Sequence, residues 1–418
     1  MTSLPNNLHQ WLAFIEASHP SEIDLGLERV AAVAALLQLT PPRVVTVAGT
    51  NGKGSTVALM RAVAVAHGLR VGCYSSPHFI RYNERVSIDG SLVDDDSLCD
   101  AFVVVEQARQ QAKVSLTYFE YGTLAALWLF SQQSLDLWLL EVGLGGRLDA
   151  VNLVDADVAV VTTVALDHQD WLGSDRDKIG YEKAGIARPA RPLIFGDADL
   201  PASVSSYAAD LGAPLLRWGI EFGPAAEPQE SWCWRGLSAD GTSLTLSDLP
   251  VPQLPFANAS TALQALASAG VQLLPAEVRE GLQGVSLTGR MQCMWRDGRE
   301  LVLDVAHNPH AAGYLAAQLP PCDGTTWCVA AMLGDKDVES TLAALRPRID
   351  RWRVASLGCP RGEKAGRLLA ALEGADAESL ESVAAALDSA LAESAVGDRI
   401  LVMGSFYTVA AALDALQE

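Results

Sequence analysis

The feature that most constrains this chain is a glycine-rich turn that joins an apolar run to a helix-forming run. Residues 44–47 are apolar or β-branched, which predicts a buried strand, and the pattern of residues 57–67 predicts a helix. The turn between them contains Gly49-Thr-Asn-Gly-Lys-Gly-Ser55. In such a turn, backbone N–H groups and the positive end of the helix dipole point at one spot, and glycines let a phosphate approach the backbone closely. This turn, called the phosphate loop below, therefore predicts a phosphate-binding unit.

The phosphate loop departs from the strict phosphate-binding pattern at two positions. Val47 stands where that pattern has its first glycine, and Gly54 directly follows the lysine, so that the hydroxyl comes one place later, at Ser55. The alternative interpretation is a tight strand–helix turn with a surface lysine. The predicted strand and helix on the correct sides favour phosphate binding over that alternative.

Composition disfavours several classes of protein. With 30 basic and 50 acidic side chains, the formal net charge is −20, which argues against nucleic acid or an anionic membrane surface as the main partner. No apolar run is long enough to span a bilayer, and the first seven residues show no signal-peptide pattern. Seven cysteines without a Cys-x-x-Cys pair fit reduced thiols. We therefore expect a cytoplasmic protein.

Three polar side chains at predicted strand ends are candidate metal ligands. Glu141 ends a buried run, where a carboxylate is costly to bury unless it is paired or metal-bound. His168 stands between two acids after another strand, although a surface histidine is about equally favoured from the residues alone. Ser76 follows a third strand, where a turn with satisfied hydroxyls is the better interpretation by itself. Of the three, Glu141 is predicted to bind Mg²⁺ from the residues alone.

Several phrases, in order along nearly the whole chain, resemble the Mur ligase superfamily and its dihydrofolate synthase/folylpolyglutamate synthase branch. They include the phosphate loop, Glu141-Val-Gly-Leu-Gly-Gly-Arg-Leu-Asp-Ala150, Leu166-Asp-His168 and Glu182-Lys-Ala-Gly185. The chain departs from the family pattern at Val151, where Thr is usual, and at Val305, where Gly is usual. The phrase Asp24-Leu-Gly-Leu-Glu-Arg-Val30 is similar to that of the bifunctional bacterial members.

The resemblance implies a set of nucleotide and metal contacts. It implies ATP as co-substrate and two Mg²⁺ sites, with Lys53, His168 and Lys183 in catalytic roles and Lys183 a candidate for carbamylation to N6-carboxylysine. A carbamate would turn a cation that repels metal into an anion that binds it. The residues implied to bind ATP are Asn51, Gly52, Lys53, Gly54, Ser55, Asn258, Arg290, Asp304 and His307. Those implied to bind metal are Ser76, Glu141, His168 and Lys183.

The resemblance also implies a pocket for the pterin or folate substrate. Its candidate residues are Thr117, Tyr118, Phe119, Glu120, Leu148, Asp149 and Ala150. From the residues alone, Glu120 near a helix start is explained equally well by the helix dipole.

The predicted fold is α/β with two domains. Residues 1–286 are expected to form a phosphate-loop ATPase domain with a mostly parallel sheet, followed by a linker at 287–298. Residues 299–418 alternate strand and helix, which predicts a smaller Rossmann-like domain. No Gly-x-Gly-x-x-Gly occurs there, so we do not predict NAD binding.

These parts fit ATP-driven amide formation through an acyl phosphate. The resemblance implies L-glutamate as the amine and dihydropteroate, reduced folates or both as the acid, in a monomer with no nucleic-acid or membrane partner. The alternatives are a monofunctional folylpolyglutamate synthase and a Mur-type ligase acting on another carboxylic acid. A phosphate-loop kinase and a nucleotide-binding regulator are further rivals, which ADP release dependent on both acid and amine would exclude.

Overall fold

The computed structural model describes residues 4–21, 23–225 and 230–417. Residues 1–3 of the N-terminus, where we expect no signal peptide, lie outside the described residues. The chain forms two compact units, one of Met1–Val164 with Leu172–Val285 and one of Ala165–Trp171 with Ser286–Glu418. Within the described ranges, no helix is long and apolar enough to cross a membrane.

The first unit is built on two sheets. Its strands are β1 (Arg43–Ala48), β2 (Val71–Tyr74), β3 (Val86–Ile88), β4 (Ser91–Leu92), β5 (Leu137–Glu141), β6 (Val158–Val161), β7 (Leu193–Phe195), β8 (Leu215–Arg217), β9 (Gly223–Pro224), β10 (Ser231–Leu237) and β11 (Ser243–Pro250). In the described part of the chain, the larger sheet has the order β4-β3-β2-β5-β1-β6-β7-β8 and is parallel from β2 to β8. The smaller sheet, β11-β10-β9, is antiparallel.

Helices cover the larger sheet. They are α1 (Leu8–Glu16), α2 (Glu28–Ala34), α3 (Lys53–Ala66), α4 (Asp95–Ala112), α5 (Tyr118–Ser131), α6 (Gln169–Leu172), α7 (Arg176–Ala184), α8 (Ala202–Leu211), α9 (Phe256–Ser268) and α10 (Pro275–Leu282), of which α6 begins in the segment Ala165–Trp171. The central strands are buried on both faces: Trp138 and Leu140 pack in one apolar cluster, while Ala48 and Phe195 pack in another. Burial on both sides explains why these strands are continuously apolar.

The register of the central strands decides what surrounds the phosphate loop. β1 runs parallel to β5 with Val47 opposite Glu141, and parallel to β6 with Ala48 opposite Val161. The carboxyl ends of parallel strands share one edge of the sheet. Glu141 and the residues after Val161 therefore lie beside the phosphate loop.

The second unit is a sheet with helices packed against it. Its strands are β12 (Gln292–Arg296), β13 (Arg299–Leu303), β14 (Thr326–Ala330), β15 (Arg351–Ala355), β16 (Asp376–Leu380) and β17 (Arg399–Met403). Its further helices are α11 (Pro309–Gln318), α12 (Val338–Leu345), α13 (Ala365–Ala371), α14 (Val383–Glu393) and α15 (Phe406–Gln417). The strand order is β12-β13-β17-β14-β15-β16, parallel except for the edge strand β12. The α/β class predicted for both domains is confirmed.

Two details differ from the predicted domain boundaries. The predicted linker, residues 287–298, contains β12, which pairs with β13 as part of the second sheet. The segment Ala165–Trp171, which the sequence places inside the first domain, is grouped with the second unit. Position along the chain could not reveal the second point, because it depends on contacts with residues more than a hundred positions away.

A close helix contact behind the phosphate loop predicts the effect of a one-carbon substitution. Helix α10 packs against α3, and a Cβ at Gly281 would lie 2.5 Å from Val63 Cα. Gly281→Ala would push two backbones apart, so we expect it to destabilise the protein by about 1–3 kcal/mol in thermal or urea unfolding.

The matched control is Gly313→Ala in α11. Gly313 is exposed and helical, and a Cβ there would meet no atom within 4 Å. Alanine should stabilise that helix by roughly 0.5–1 kcal/mol. Equal effects of the two substitutions would contradict the close contact of α10 with α3.

Candidate functional site

The phosphate loop enters helix α3 through a glycine in the left-handed conformation. Gly52 is the N-cap residue with φ of +88°, and α3 begins at Lys53. The helix thus starts four residues before the predicted position, so its first turn includes Gly54 and Ser55. The Lys53 ammonium donates to Gly49 O at 3.0 Å across the loop. This geometry presents the positive end of α3 at the loop, as an anion site requires.

Two threonines directly after β6 hold the phosphate loop by hydrogen bonds to its backbone. Thr162 Oγ1 donates to Asn51 O at 2.6 Å, and Thr163 Oγ1 accepts from Asn51 N–H at 3.0 Å. A Cβ at Gly49 would overlap Thr162 Oγ1, so glycine is required there by this close approach. No role was predicted from the sequence for either threonine. Two hydroxyl residues directly after a buried strand were the available signal, because that strand neighbours β1.

Asn258 in α9 lies directly against the phosphate loop. A Cβ at Gly52 would stand 2.7 Å from Asn258 Oδ1, and Asn258 is buried. Helix α9 packs on α3, which holds the side chain in this place. The structure therefore brings Asn258 to the loop, over 200 residues away in sequence, although its role toward ATP stays a prediction.

The Glu141 carboxylate and the Ser55 hydroxyl near the phosphate loop fit a divalent metal ion, and Ser76 lies beside that carboxylate. The Glu141 carboxylate is 4% exposed, and it lies 3.6 Å from the position of a Cβ at Gly54. Its Oε2 accepts the N–H of Ser76 at 3.3 Å, which brings that residue to the same carboxylate. Within the described chain, the buried Ser55 Oγ has no hydrogen-bond partner. Hydroxyl and carboxylate oxygens are the ligands that Mg²⁺ prefers.

The predicted metal ligands do not form a cluster of ordinary metal-binding residue types. Among the residues described, no group of three or more His, Cys, Asp and Glu side chains is placed to hold a metal. The predicted set contains only two such residues, Glu141 and His168, and the structure assigns them to different units.

Helix α7 separates the two charges of its Glu-Lys pair. Glu182 binds Arg147 with an N–O distance of 2.9 Å, whereas Lys183 is only 4% exposed. From the pattern alone, both residues would belong to a charged helix face, and burial shows that this describes Glu182 and not Lys183. A buried lysine beside the glycine turn that follows Glu141 is compatible with the predicted modification, which stays a prediction. Backbone oxygens of α7 lie within about 3 Å of a Cβ position at Gly146 and fix the two segments together.

Asp149 organises the glycine turn after β5. Its carboxylate accepts from Leu144 N–H and Val151 N–H, both at 2.9 Å. Burial raises the pKa of Asp149 to about 6, even though these donors and the charge of Lys53 act to lower it. Each oxygen accepts a backbone N–H of the turn, so this carboxylate positions its neighbours Leu148 and Ala150. Its contact with the substrate stays a prediction.

The predicted pterin residues differ in exposure. Tyr118, Phe119 and Leu148 are partly exposed, and the others are buried. The ring of Phe119 packs on Gly143 of the glycine turn, and Tyr118 lies beside the Arg85 guanidinium, 5.6 Å from ring centre to carbon. Thr117 and Glu120 instead form a capping box at the start of α5, and Glu120 Oε1 accepts from Arg29 at 2.9 Å. The hydrogen bonds of Glu120 thus fit a residue that stabilises the start of a helix, and its contact with the substrate stays a prediction.

Asp304 and Arg290 in the second unit lie at the carboxyl end of β13. Asp304 accepts from Met291 N–H at 2.9 Å and from Ala306 N–H at 2.8 Å, and burial raises the pKa of its carboxyl group. The Arg290 guanidinium stands 5.0 Å from the centre of the Phe406 ring. Both residues sit where a parallel sheet commonly binds its ligand.

His307 contacts protein acceptors through both ring nitrogens. Nδ1 lies 2.9 Å from Val305 O, and Nε2 lies 3.2 Å from Asp167 Oδ2. The structure thus gives His307 a partner in the segment that carries His168. Sequence analysis predicted it only as a nucleotide contact.

Asp167 is the acceptor at the centre of this group. Its Oδ1 lies 2.5 Å from Lys336 Nζ, and Asn308 Nδ2 donates to its Oδ2 at 3.3 Å. Burial acts to raise the pKa of Asp167, but the hydrogen bond and charge of His307 and the charge of Lys336 hold that pKa well below its usual range. The sequence assigned no role to Lys336 or to Asn308, although Asn308 directly follows the predicted site residue His307.

Comparisons with known proteins find relatives that match nearly the whole chain. The family model described as "Mur ligase, glutamate ligase domain" matches residues 289–406. The dihydrofolate synthase/folylpolyglutamate synthase of Escherichia coli strain K12 is 46% identical over 413 residues, covering 98% of this chain and 95% of the relative. The enzyme of the same name from Haemophilus influenzae is 40% identical, covering 96% of each.

Solved structures are similar over the full length. "E.coli FolC in complex with DHPP and ADP" has a TM-score of 0.94 and 46% identity, covering 100% of this chain and 99% of that chain. A bifunctional folylpolyglutamate synthase/dihydrofolate synthase from Yersinia pestis, complexed with AMPPNP and Mn ion, has a TM-score of 0.92 and 45% identity, with 100% of both chains covered.

The contact between Gly52 and Asn258 predicts a selective loss of nucleotide binding. Gly52→Ala would place a methyl group against Asn258 and strain a left-handed residue by roughly 1–2 kcal/mol. Gly68→Ala, just past the other end of α3, adds the same kind of strain with no atom within 4 Å of its Cβ. We expect both to destabilise the fold, and only Gly52→Ala to weaken AMPPNP binding in calorimetry. Equal AMPPNP affinity in both variants would contradict the position assigned to the loop.

Proposed function

Because the chain belongs to the dihydrofolate synthase/folylpolyglutamate synthase family of Mur ligases, we propose that it joins L-glutamate to 7,8-dihydropteroate and to reduced folates, using ATP. The structural observation that carries this proposal is the register of β1 and β5. It sets the buried Glu141 carboxylate beside a phosphate loop whose Ser55 hydroxyl is also buried. Such a site suits a nucleotide triphosphate with a divalent cation.

The reaction makes one amide bond in two displacements. The carboxylate of the acid attacks the γ-phosphorus of ATP, the bond to the β-phosphate oxygen breaks, and an acyl phosphate and ADP form. The amino group of glutamate then attacks the acyl carbon, inorganic phosphate leaves, and the nitrogen loses a proton. Each step concentrates negative charge on phosphate oxygens, so a protein assists mainly by positioning and by charge stabilisation.

The phosphate loop supplies both kinds of assistance. The first N–H groups of α3 and the Lys53 ammonium face the same loop, and glycines at its turn permit direct backbone contact. Thr162 and Thr163 hold that loop in place by side-chain hydrogen bonds to Asn51, so the donors need no rearrangement when phosphate arrives.

Ser55, Ser76 and Glu141 are the residues that would hold a divalent cation in the first unit. When bound, such a cation neutralises phosphate charge and orients the transferred group. Mg²⁺ as the cation, a second site and carbamylation of Lys183 are further parts of this proposal. Arg290, Asp304 and His307 stay predicted nucleotide contacts.

The acid substrate is proposed to bind near the glycine turn after β5. The ring of Phe119 packs on that turn and is partly exposed, and rings of this kind stack on flat heterocycles such as pterin. Tyr118 and Leu148 are partly exposed and supply further contact surface. We further propose a cytoplasmic monomer; the seven free cysteines of the described residues support a reducing compartment.

The direct test is ADP release by the purified protein with MgATP and L-glutamate. We expect release that depends on glutamate and occurs with dihydropteroate and with tetrahydrofolate in separate assays. Release with tetrahydrofolate alone would reduce the activity to that of a monofunctional folylpolyglutamate synthase. No release with either acid would reject the folate assignment and favour another carboxylic acid.

The proposed metal role of Glu141 predicts the effect of removing its charge. Glu141→Gln should weaken Mn²⁺ binding in the presence of AMPPNP by at least about tenfold, since even outer partners of metal ligands contribute that much. Electron paramagnetic resonance of free Mn²⁺ measures this directly, and ADP release should fall in parallel.

The matched control is Glu106→Gln. Glu106 is also a buried glutamate of the first unit, but its oxygens accept from Arg109, Gln110 and Tyr121. Loss of the Glu106 charge should reduce the free energy of unfolding and leave Mn²⁺ binding unchanged. If Glu141→Gln binds Mn²⁺ as Glu106→Gln does, the metal assignment is wrong.

A further inference from the structure

Asp167 is a buried carboxylate that receives several donors inside the second unit. Its side chain is 7% exposed, and the Lys336 side chain that contacts it at 2.5 Å is 5% exposed. His307 Nε2 and Asn308 Nδ2 approach its other oxygen at 3.2 and 3.3 Å. A carboxylate removed from water in this way is costly unless each oxygen is satisfied, and these three residues satisfy both.

The same carboxylate fixes the backbone of the next residue. Asp167 Oδ1 accepts the N–H of His168 at 2.8 Å, and His168 O accepts the N–H of Trp171 at 3.0 Å. His168 has a φ of +50°, a left-handed conformation that a non-glycine residue adopts only when its surroundings hold it there. The direction of the His168 side chain therefore depends on Asp167.

Local structure does not explain the position of Lys336. It stands one residue before Asp337, the N-cap of α12, where the helix dipole disfavours a cation. Asp335, the acid next to Lys336 in sequence, lies 3.9 Å from the ammonium and is itself bound to Arg361 at 2.7 Å. The contact with Asp167 is thus the interaction that accounts for a lysine buried at this place.

We propose that Lys336 is a positioning residue of the reaction, which holds Asp167 and through it orients His168. The inference rests on the proposed function, in which His168 takes part as a metal-binding or catalytic side chain. Lys336 touches neither nucleotide nor acid in this role. It supplies a fixed positive charge that keeps the Asp167 carboxylate aimed at the backbone N–H of His168.

The test compares Lys336→Met with Arg399→Met. Methionine keeps the length and volume of a lysine stem without its charge. Arg399 is 4% exposed and pairs with Glu300 at 2.7 Å, at the opposite end of β17 from the loop that follows this strand. Both substitutions remove a buried cation from the second unit, and only one of them lies next to Asp167.

The first measurement is binding of Mn²⁺ to the full-length protein with AMPPNP, by electron paramagnetic resonance. We expect Lys336→Met to weaken Mn²⁺ binding about 10–100-fold, the range for loss of a residue that orients a metal ligand. It should also lower kcat with little change in the KM for ATP. Arg399→Met should bind Mn²⁺ as the wild type does, after both variants are shown to be folded by circular dichroism. Wild-type Mn²⁺ binding by Lys336→Met would overturn the inference.

A double-mutant cycle keeps the inference falsifiable if the single variant folds poorly. Asp167→Asn retains an oxygen for the His168 N–H, and combining it with Lys336→Met removes both buried charges together. If Lys336 acts through Asp167, the double variant should be no worse than either single variant in Mn²⁺ affinity and in kcat. Additive losses would show that Lys336 acts independently and would contradict the inference.

The outcome is separable from that of the proposed function. If the wild type releases no ADP with any acid tested, the folate activity is rejected, while the Mn²⁺ comparison still shows whether Lys336 orients a ligand. If the wild type turns over and Lys336→Met equals it in Mn²⁺ affinity and kcat, only the positioning role is rejected.

Discussion

The parallel pairing of β1 with β5 is the constraint on which the site of the first unit depends. It sets Val47 opposite Glu141, so the phosphate loop and a buried carboxylate share one edge of the sheet. The pairing of β1 with β6 on the other side brings Thr162 and Thr163 under the same loop. Because ladder hydrogen bonds fix the register, the backbone positions that carry these groups are fixed relative to one another.

The buried carboxylates of this protein are satisfied by different kinds of hydrogen-bond partner. Glu120 and Asp149 have their oxygens taken by backbone N–H groups and, for Glu120, by Arg29, so they hold local structure. Asp167 is satisfied by side chains drawn from distant parts of the second unit, and it fixes a left-handed histidine. A left-handed non-glycine residue persists only where its surroundings impose it, and the hydrogen bond from the His168 N–H to Asp167 is one contact that does so.

Much of the fold was predictable because the sequence is locally consistent. The apolar run before the phosphate loop, the glycines within it and the helix after it all indicate one structure, and the alternation of elements from residue 299 onward predicts a parallel sheet. The start of α3 was predicted four residues late, because Gly54 and Ser55 have weak helix propensity and their place in the first turn is set by the loop. The substrate set was predicted as one group, and its members have different surroundings: Phe119 is partly exposed, whereas Thr117 and Glu120 form the capping box of α5.

The sequence by itself determined the class of fold, the phosphate loop and the residues that match the family phrases, since each depends on short-range pattern. Only the tertiary structure decided which of those side chains are buried or hydrogen-bonded within the protein, and which further residues support them. Asn258 reaches Gly52 through helix packing, and Lys336 reaches Asp167 across 169 positions of chain. Contacts at such separations are set by how strands order themselves in a sheet and how helices pack on it. Neither leaves a periodic signal in the residues involved.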